Sequence, residues 1–367
     1  MNRRMIFYTL GKMLMIEGLL MLLPCLTGMI YHEKESLAYL MIAILLCFIG
    51  KLMSLHKPQN KIIYAKEGFV VVAAAWIFLS IFGAIPFCLT GEIPSYVDAF
   101  FEIVSGFTTT GSSILTDVEA LSHASLFWRS FSHWIGGMGI LVFVVAFLPD
   151  ANGSTLHILK AEMPGPIVGK LVSKITVSSQ ILYQLYTVLT ILEVILLMLG
   201  GMPFFDSLLN SFGTAGTGGF AIKNASIAYY NSAYCDGIIT FFMILFGINF
   251  NFYFLLISKR LRAALGMEEV KWYVIIYVVA VVSIVFNLWK ATGVVGINVK
   301  DAIFQVSSIM TSTGYATTDF NKWPEFSRYI ICVLMFIGAC TGSTGGGMKV
   351  ARFIIYFKQI GKQIGFL

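Results

Sequence analysis

Eight stretches of this chain are apolar for long enough to cross a lipid bilayer as helices, near 7–30, 37–55, 68–88, 125–148, 181–201, 237–257, 272–290 and 328–357. About 20 apolar residues span the hydrocarbon core as a helix. There, only helices and closed barrels satisfy every backbone polar group internally. Composition points the same way. Of the 367 residues, 57% are hydrophobic and 12% charged, whereas soluble chains carry roughly 25% charge. So few charged residues cannot clothe a water-soluble exterior. The sequence therefore predicts an all-α integral membrane protein.

With the N-terminus placed in the cytoplasm, most of the 25 Lys and Arg fall on the inner side, among them Arg3, Lys51, Lys160, Lys259, Arg260 and Lys349. This is the positive-inside pattern. It puts both termini in the cytoplasm and accounts for the net charge of +6 without a nucleic-acid partner. The opening MNRR before an apolar run resembles a signal peptide, but the run is long enough to span and no A-x-A-like cleavage site follows, so it is read as a retained helix. The six cysteines form no CxxC pair and are read as small apolar fillers. The glycine run before Lys349 fails the pattern GxxxxGK[ST]. The five His show no zinc spacing, and no nucleophile–base pair stands out. The chain reads as a non-enzyme.

Three further apolar stretches, about 95–107, 204–215 and 299–310, are too short to cross and suit re-entrant elements. They align without a gap: DAFFEIVSGFTTTGS from Asp98, DSLLNSFGTAGTGGF from Asp206 and DAIFQVSSIMTSTGY from Asp301. Each Asp precedes a glycine by 13 positions (Gly111, Gly219, Gly314), with a bulky apolar residue at the third position and a small one at the seventh. Each stretch lies between two spanning segments. Internal repeats of this kind are common in transporters.

The repeated unit is a half-helix followed by a Gly/Thr segment. Non-helical backbone at membrane depth is tolerated where it lines a watery cavity. Its carbonyls can replace the water around a cation, glycine permits the backbone angles this needs, and the negative end of the half-helix favours the same charge. The sequence predicts a cation filter lined by Thr108–Thr109–Thr110–Gly111, Gly216–Thr217–Gly218–Gly219 and Thr311–Ser312–Thr313–Gly314, with Asp98, Asp206 and Asp301 capping their half-helices.

With these words stand HWIGGMGI at 133–140, AEMPGP at 161–166 and GACTGSTGGGMKV at 338–350. Together with SGFTTTGSS, SFGTAGTGGF and TSTGY they resemble the Trk/Ktr/HKT superfamily of potassium transporters, specifically its Trk-type membrane subunit. The resemblance implies helix–pore-loop–helix units: an extra helix pair at 1–60, then units at 61–150, 175–258 and 270–360. It also implies a fourth unit, for which no residues follow, so a truncated, non-conducting fragment is the alternative to a potassium-uptake protein, as is a sodium-permeable relative. An inverted-repeat carrier fits less well, because the repeats are parallel. By resemblance, the stretch 338–348 is an intramembrane gating loop, with Gly342, Ser343, Thr344, Gly345, Gly346, Gly347 and Lys349 as gate residues. The three filter glycines imply potassium over sodium. Also implied are uptake through the cytoplasmic membrane of a bacterium driven by the membrane potential or a coupled ion gradient, a homodimer, and a cytoplasmic nucleotide-binding regulatory subunit. Potassium is the transported ion rather than a resident cofactor.

The remaining polar residues read less sharply. Glu17 and Glu193 lie within spans, where an ionisable group is functional by default; the alternative, which is the expectation here, is that each pairs with a buried donor between helices. Asn249 and Asn251 either line an inner vestibule or bond a neighbouring helix. Arg129 and His133 suit outer-surface or interhelix contacts. Trp128, Trp272 and Trp323 are expected as interfacial anchors. Acids such as Glu92, Glu102, Asp117 and Asp319 are expected on the outer surface, where they would attract cations or simply be solvated.

Overall fold

The computed structural model describes residues 2–56, 58, 65–139, 175–293 and 296–364. The AEMPGP motif, Ile140 of HWIGGMGI, the second half of the expected span 125–148, and Lys57, Lys61, Lys160, Lys170 and Lys174 lie outside the described residues. Among those described, the chain is helical with irregular connections and no strand. It divides into two compact units, 1–184 and 185–367.

The first unit begins with α1 (Arg3–Leu20), α2 (Leu22–Ile30) and α3 (Ser36–Ser54). Asn2 caps α1 by accepting from the Met5 amide. α1 and α3 approach closely along small residues. A Cβ on Gly50 would stand 2.4 Å from the Gly11 carbonyl, and one on Gly18 2.8 Å from that of Ala43. Small residues at a helix crossing are the usual route to tight packing in lipid. α4 (Ala65–Thr90) is followed by the short α5 (Tyr96–Phe107) and by α6 (His123–Gly137). Glu33 and Glu92 accept from the first amides of α6, at His123, Ala124 and Ser122. Carboxylates there satisfy orphan donors and suit the positive helix end.

α7 (Ile175–Leu199) leads into the second unit, which continues with α8 (Phe204–Ala215), α9 (Ala233–Gly247), α10 (Phe250–Ile257), the single turn α11 (Leu261–Leu265), α12 (Glu268–Thr292), α13 (Gly296–Met310), α14 (Glu325–Ile337) and α15 (Val350–Ile364). Its core gathers Tyr273, Ile284, Val306, Met310, Ile331 and Leu334 from α12, α13 and α14.

Five helical stretches among the described residues are long and apolar enough to cross a membrane, at Arg3–Ile30, Ser36–Ser54, Lys66–Thr90, Gln180–Leu199 and Glu268–Thr292. These match five of the expected spans. A sixth, expected at 237–257, is broken: α9 and α10 meet at 91°. The expected span 328–357 is also interrupted, since α14 ends at Ile337 and α15 starts at Val350. The second interruption falls on the glycine-rich stretch expected to break that span; the first escapes hydropathy, because α9 and α10 are both apolar.

Candidate functional site

The three short helices α5, α8 and α13 fall where the repeat places them. Each ends in the same backbone turn. At the tenth position after the aspartate, the amides of Thr108, Gly216 and Thr311 donate back to Val104, Phe212 and Ser307 at 2.9, 3.0 and 3.0 Å. At the eleventh, Thr109, Thr217 and Ser312 donate to Gly106, Thr214 and Ile309, each at 3.0 Å. At the twelfth, Thr110, Gly218 and Thr313 donate to Ser105, Gly213 and Ser308 at 2.9, 3.0 and 2.8 Å. The eleventh and thirteenth residues are left-handed in every copy: Thr109 and Gly111 (φ 53° and 77°), Thr217 and Gly219 (52° and 74°), Ser312 and Gly314 (60° and 84°). A non-glycine residue in this region is uncommon. Three at one register position are a property of the repeat.

The aspartates do not cap these helices. Ser95 caps α5 by accepting from the Asp98 amide, and Pro203 precedes α8. Asp301 lies more than a turn inside α13. The helices begin earlier than the alignment suggested, so Asp98 and Asp206 sit in the first turn. There they still favour the positive end of the helix.

In the second unit, two of the Gly/Thr segments come together. A Cβ on Gly219 would stand 1.8 Å from the Thr313 carbonyl oxygen, so this position admits only glycine without movement of the neighbouring segment. Thr217, Thr311 and Thr313 are buried. Thr311 donates to the Ser307 carbonyl and pairs with the Thr313 hydroxyl at 2.8 Å. In the first unit, Thr108 repeats this pattern, donating to Val104 and pairing with Thr110 at 2.8 Å, although both residues are exposed.

Residues 338–349 form an irregular loop in the second unit. The amides of Ala339 and Val350 donate across it to Gly346 and Ala339. At its neck, a Cβ on Gly347 would lie 2.5 Å from the Gly338 Cα. Gly342, Gly347 and Lys349 have positive φ. The loop is tied to the break between α9 and α10: Cys340 donates to the Gly247 carbonyl, Phe250 to that of Gly342, and Thr344 to that of Phe246. It is tied to α12 through the Thr341 amide and the Glu269 carboxylate. Lys349 folds back onto the Gly345 carbonyl. The loop also meets the third Gly/Thr segment: the Gly346 amide donates to Ser312 Oγ at 2.6 Å. Ser343 donates to the Cys340 carbonyl within the loop.

Several polar residues stand elsewhere than expected. Trp128 is fully buried and donates to the Gly83 carbonyl at 3.0 Å, so it is not an interfacial anchor. Glu102 is fully buried and paired with Arg129, so it belongs to no outer acidic surface. Arg129 makes the interhelix contact expected of it. Glu17 is buried without a hydrogen-bond partner among the described residues, contrary to the pairing expected, whereas Glu193 is buried beside the Thr214 hydroxyl. Glu17 lies beside Gly83. Asn249 caps α10 by accepting from the Asn251 amide and lies against Gly342 of the loop. The sequence reading overlooked the fourth position of the repeat, where Glu102, Asn210 and Gln305 are all buried. Its signal was a Glu, Asn or Gln at the same register position in all three copies.

The profile of the TrkH family, described as a cation transport protein, matches residues 35–366. The chain is 34% identical over 364 residues to the Trk system potassium uptake protein TrkH of Halomonas elongata, covering 98% of this chain and 76% of that one. It is 33% identical over 371 residues to the protein of the same name from Escherichia coli K12, covering 99% and 77%. Among solved structures, the crystal structure of the potassium transporter TrkH from Vibrio parahaemolyticus aligns with a TM-score of 0.87 at 28% identity, over 100% of this chain and 76% of that chain.

Proposed function

The chain belongs to the TrkH family of cation transport proteins, and on that premise we propose that it carries potassium into the cell through the three Gly/Thr segments. The single observation behind this reading is the turn repeated at 108–111, 216–219 and 311–314, with its left-handed eleventh and thirteenth residues. In a strand, successive peptide groups alternate in direction. Alternating right- and left-handed residues instead turn successive carbonyls to one side, making a row of oxygens that can stand in for the water around a cation. The negative C-terminal ends of α5, α8 and α13 lead directly into these rows and add to their preference for positive charge.

In this reading, potassium sheds water into the filter and moves down the membrane potential or with a coupled ion. Loop 338–349 gates the path below the filter. Gly342, Ser343, Thr344, Gly345, Gly346, Gly347 and Lys349 supply its moving backbone and its clasp. The protein would work in the cytoplasmic membrane of a bacterium with both termini inside, as a homodimer on a cytoplasmic nucleotide-binding subunit. The names of its relatives support potassium as the ion.

The test is rescue. A strain lacking potassium uptake should grow at low potassium when it expresses this chain, and reconstituted vesicles should take up rubidium against an excess of sodium. No growth and no rubidium uptake, with the protein present in the membrane, would sink the transport reading.

A further inference from the structure

Each re-entrant helix carries one buried polar side chain at the fourth position after its aspartate, and each reaches the chain that follows its own filter segment. Glu102 is 0% exposed, Asn210 1% and Gln305 1%. Gln305 donates to the Thr318 carbonyl at 3.1 Å. Asn210 donates to the Tyr230 hydroxyl at 3.2 Å, and that hydroxyl donates to Asp206 at 2.8 Å. Glu102 makes the most contacts: its carboxylate accepts from the Ser113 hydroxyl at 2.9 and 3.1 Å and from the Ile114 amide at 2.9 Å.

Glu102 alone of the three is charged, and its charge is met. Arg129 of α6, 3% exposed, donates through Nε to Glu102 Oε1 at 2.6 Å. The filter segment 108–111 is therefore held at both ends. Its inner end is the last turn of α5, through the amides of Thr108, Thr109 and Thr110. Its outer end is pinned, two residues past Gly111, to the same helix by Glu102, and through Arg129 to the helix that follows. A buried ion pair is a weak source of stability, since desolvation offsets its attraction; its best-attested use is to fix one arrangement over others. Discrimination between potassium and sodium by carbonyls depends on how many oxygens meet the ion and how firmly they are held.

We propose that Glu102 and Arg129 are positioning residues that set the outer end of the first filter segment and thereby the preference for potassium over sodium, with Asn210 and Gln305 as the uncharged counterparts in the other two segments. This rests on the filter reading above. Neither Glu102 nor Arg129 need touch the ion.

The experiment uses the full chain in lipid vesicles and reads the ratio of rubidium to sodium uptake per molecule. Glu102→Gln takes the carboxylate away from Arg129 Nε and should lower the ratio severalfold. The double variant Glu102→Gln/Arg129→Gln restores an uncharged hydrogen-bonded bridge and should recover most of it. If both variants lower only the amount or thermal stability of the protein and leave the ratio at the wild-type value, the proposal is overturned. Should Glu102→Gln not accumulate, Glu102→Asp keeps the charge, retracts it by one methylene, and should also lower the ratio. A second readout needs no transport: the excess thermal stabilisation by potassium over sodium, which Glu102→Gln should abolish. If the wild-type chain passes neither ion, the transport reading fails. The positioning role then stands or falls on whether that potassium-specific stabilisation is lost in the variant or kept.

Discussion

The hydroxyl of Tyr315 donates to the carbonyl of Asn210, 2.9 Å away, and so fastens the end of the third Gly/Thr segment to the helix that leads into the second. The same hydroxyl occupies the space that a side chain at residue 213 would need: a Cβ on Gly213 would stand 2.1 Å from it. The small residue at the seventh position of the second repeat is thus explained by a contact from the third.

Gly213→Ala should therefore be costly. Overpacking a filled interior costs about 1–3 kcal/mol, and the clash falls on a bridge between two filter segments. Tyr315→Phe removes the hydroxyl's bond to the Asn210 carbonyl, worth about 0.5–1.5 kcal/mol, and its longer one to Phe220, and leaves the Asn210 carbonyl still accepting from the Thr214 hydroxyl. The double variant should be more stable than Gly213→Ala alone, because the clashing oxygen is gone. Thermal unfolding in detergent of the four proteins forms a double-mutant cycle; simple additivity of the two changes would refute the contact.

The glycines proposed to line the filter should not be equivalent. At Gly219, a substituent meets the Thr313 carbonyl at 1.8 Å and the residue also has φ 74°. Gly314 has φ 84°, but nothing stands within 4 Å of its Cβ position. Gly314→Ser faces the backbone penalty of roughly 1–2 kcal/mol for a left-handed residue, whereas Gly219→Ser faces that penalty and a displaced filter segment. Gly314→Ser should keep measurable uptake with a weakened preference for potassium. Gly219→Ser should lose uptake. Rubidium and sodium fluxes in vesicles check both, and equal losses at the two positions would count against the close approach.

Much of this site was legible in the letters. The interval from Asp98, Asp206 and Asp301 to Gly111, Gly219 and Gly314 located three turns that share hydrogen bonds residue for residue. Glycine announces a left-handed position because it alone lacks the steric cost. Thr109, Thr217 and Ser312 are left-handed too, and no letter announces them, since their geometry is imposed by the turn around them. The aspartates were misread as caps because Ser95 and Pro203 start their helices one turn earlier. Glu102 and Trp128 were placed near the surface by a linear count of spans. Both are buried between helices, Glu102 against Arg129 and Trp128 against the Gly83 carbonyl, and a hydropathy profile has no term for such packing. The 91° break after Gly247 escaped for a related reason: Phe250 through Ile257 are as apolar as the residues before the break.

Potassium itself should stabilise the folded protein if the segments bind it. A ligand that binds only the native state at 100 times its Kd adds about 2.7 kcal/mol. The unfolding midpoint should rise with potassium at constant ionic strength, and rise less with sodium. Identical midpoints in the two salts would argue that the carbonyl rows hold neither ion selectively.

The bond from the Gly346 amide to Ser312 Oγ ties a side chain of the third Gly/Thr segment to the glycine loop. Ser312→Ala removes that acceptor while leaving the Ser312 amide free to keep its bond to the Ile309 carbonyl. A hydrogen bond of about 0.5–1.5 kcal/mol corresponds to a roughly two- to tenfold shift in the balance between a held and a released loop. If the loop is the gate and its held form is closed, Ser312→Ala should raise rubidium uptake by a factor within that range. Deleting residues 342–346 should raise uptake further. It should also make the serine substitution silent, because the bond it breaks no longer exists. Uptake rates of the four proteins, measured at one protein density, decide the matter: a serine variant that still changes the rate in the deletion background would place its effect in the filter segment rather than in the loop it holds.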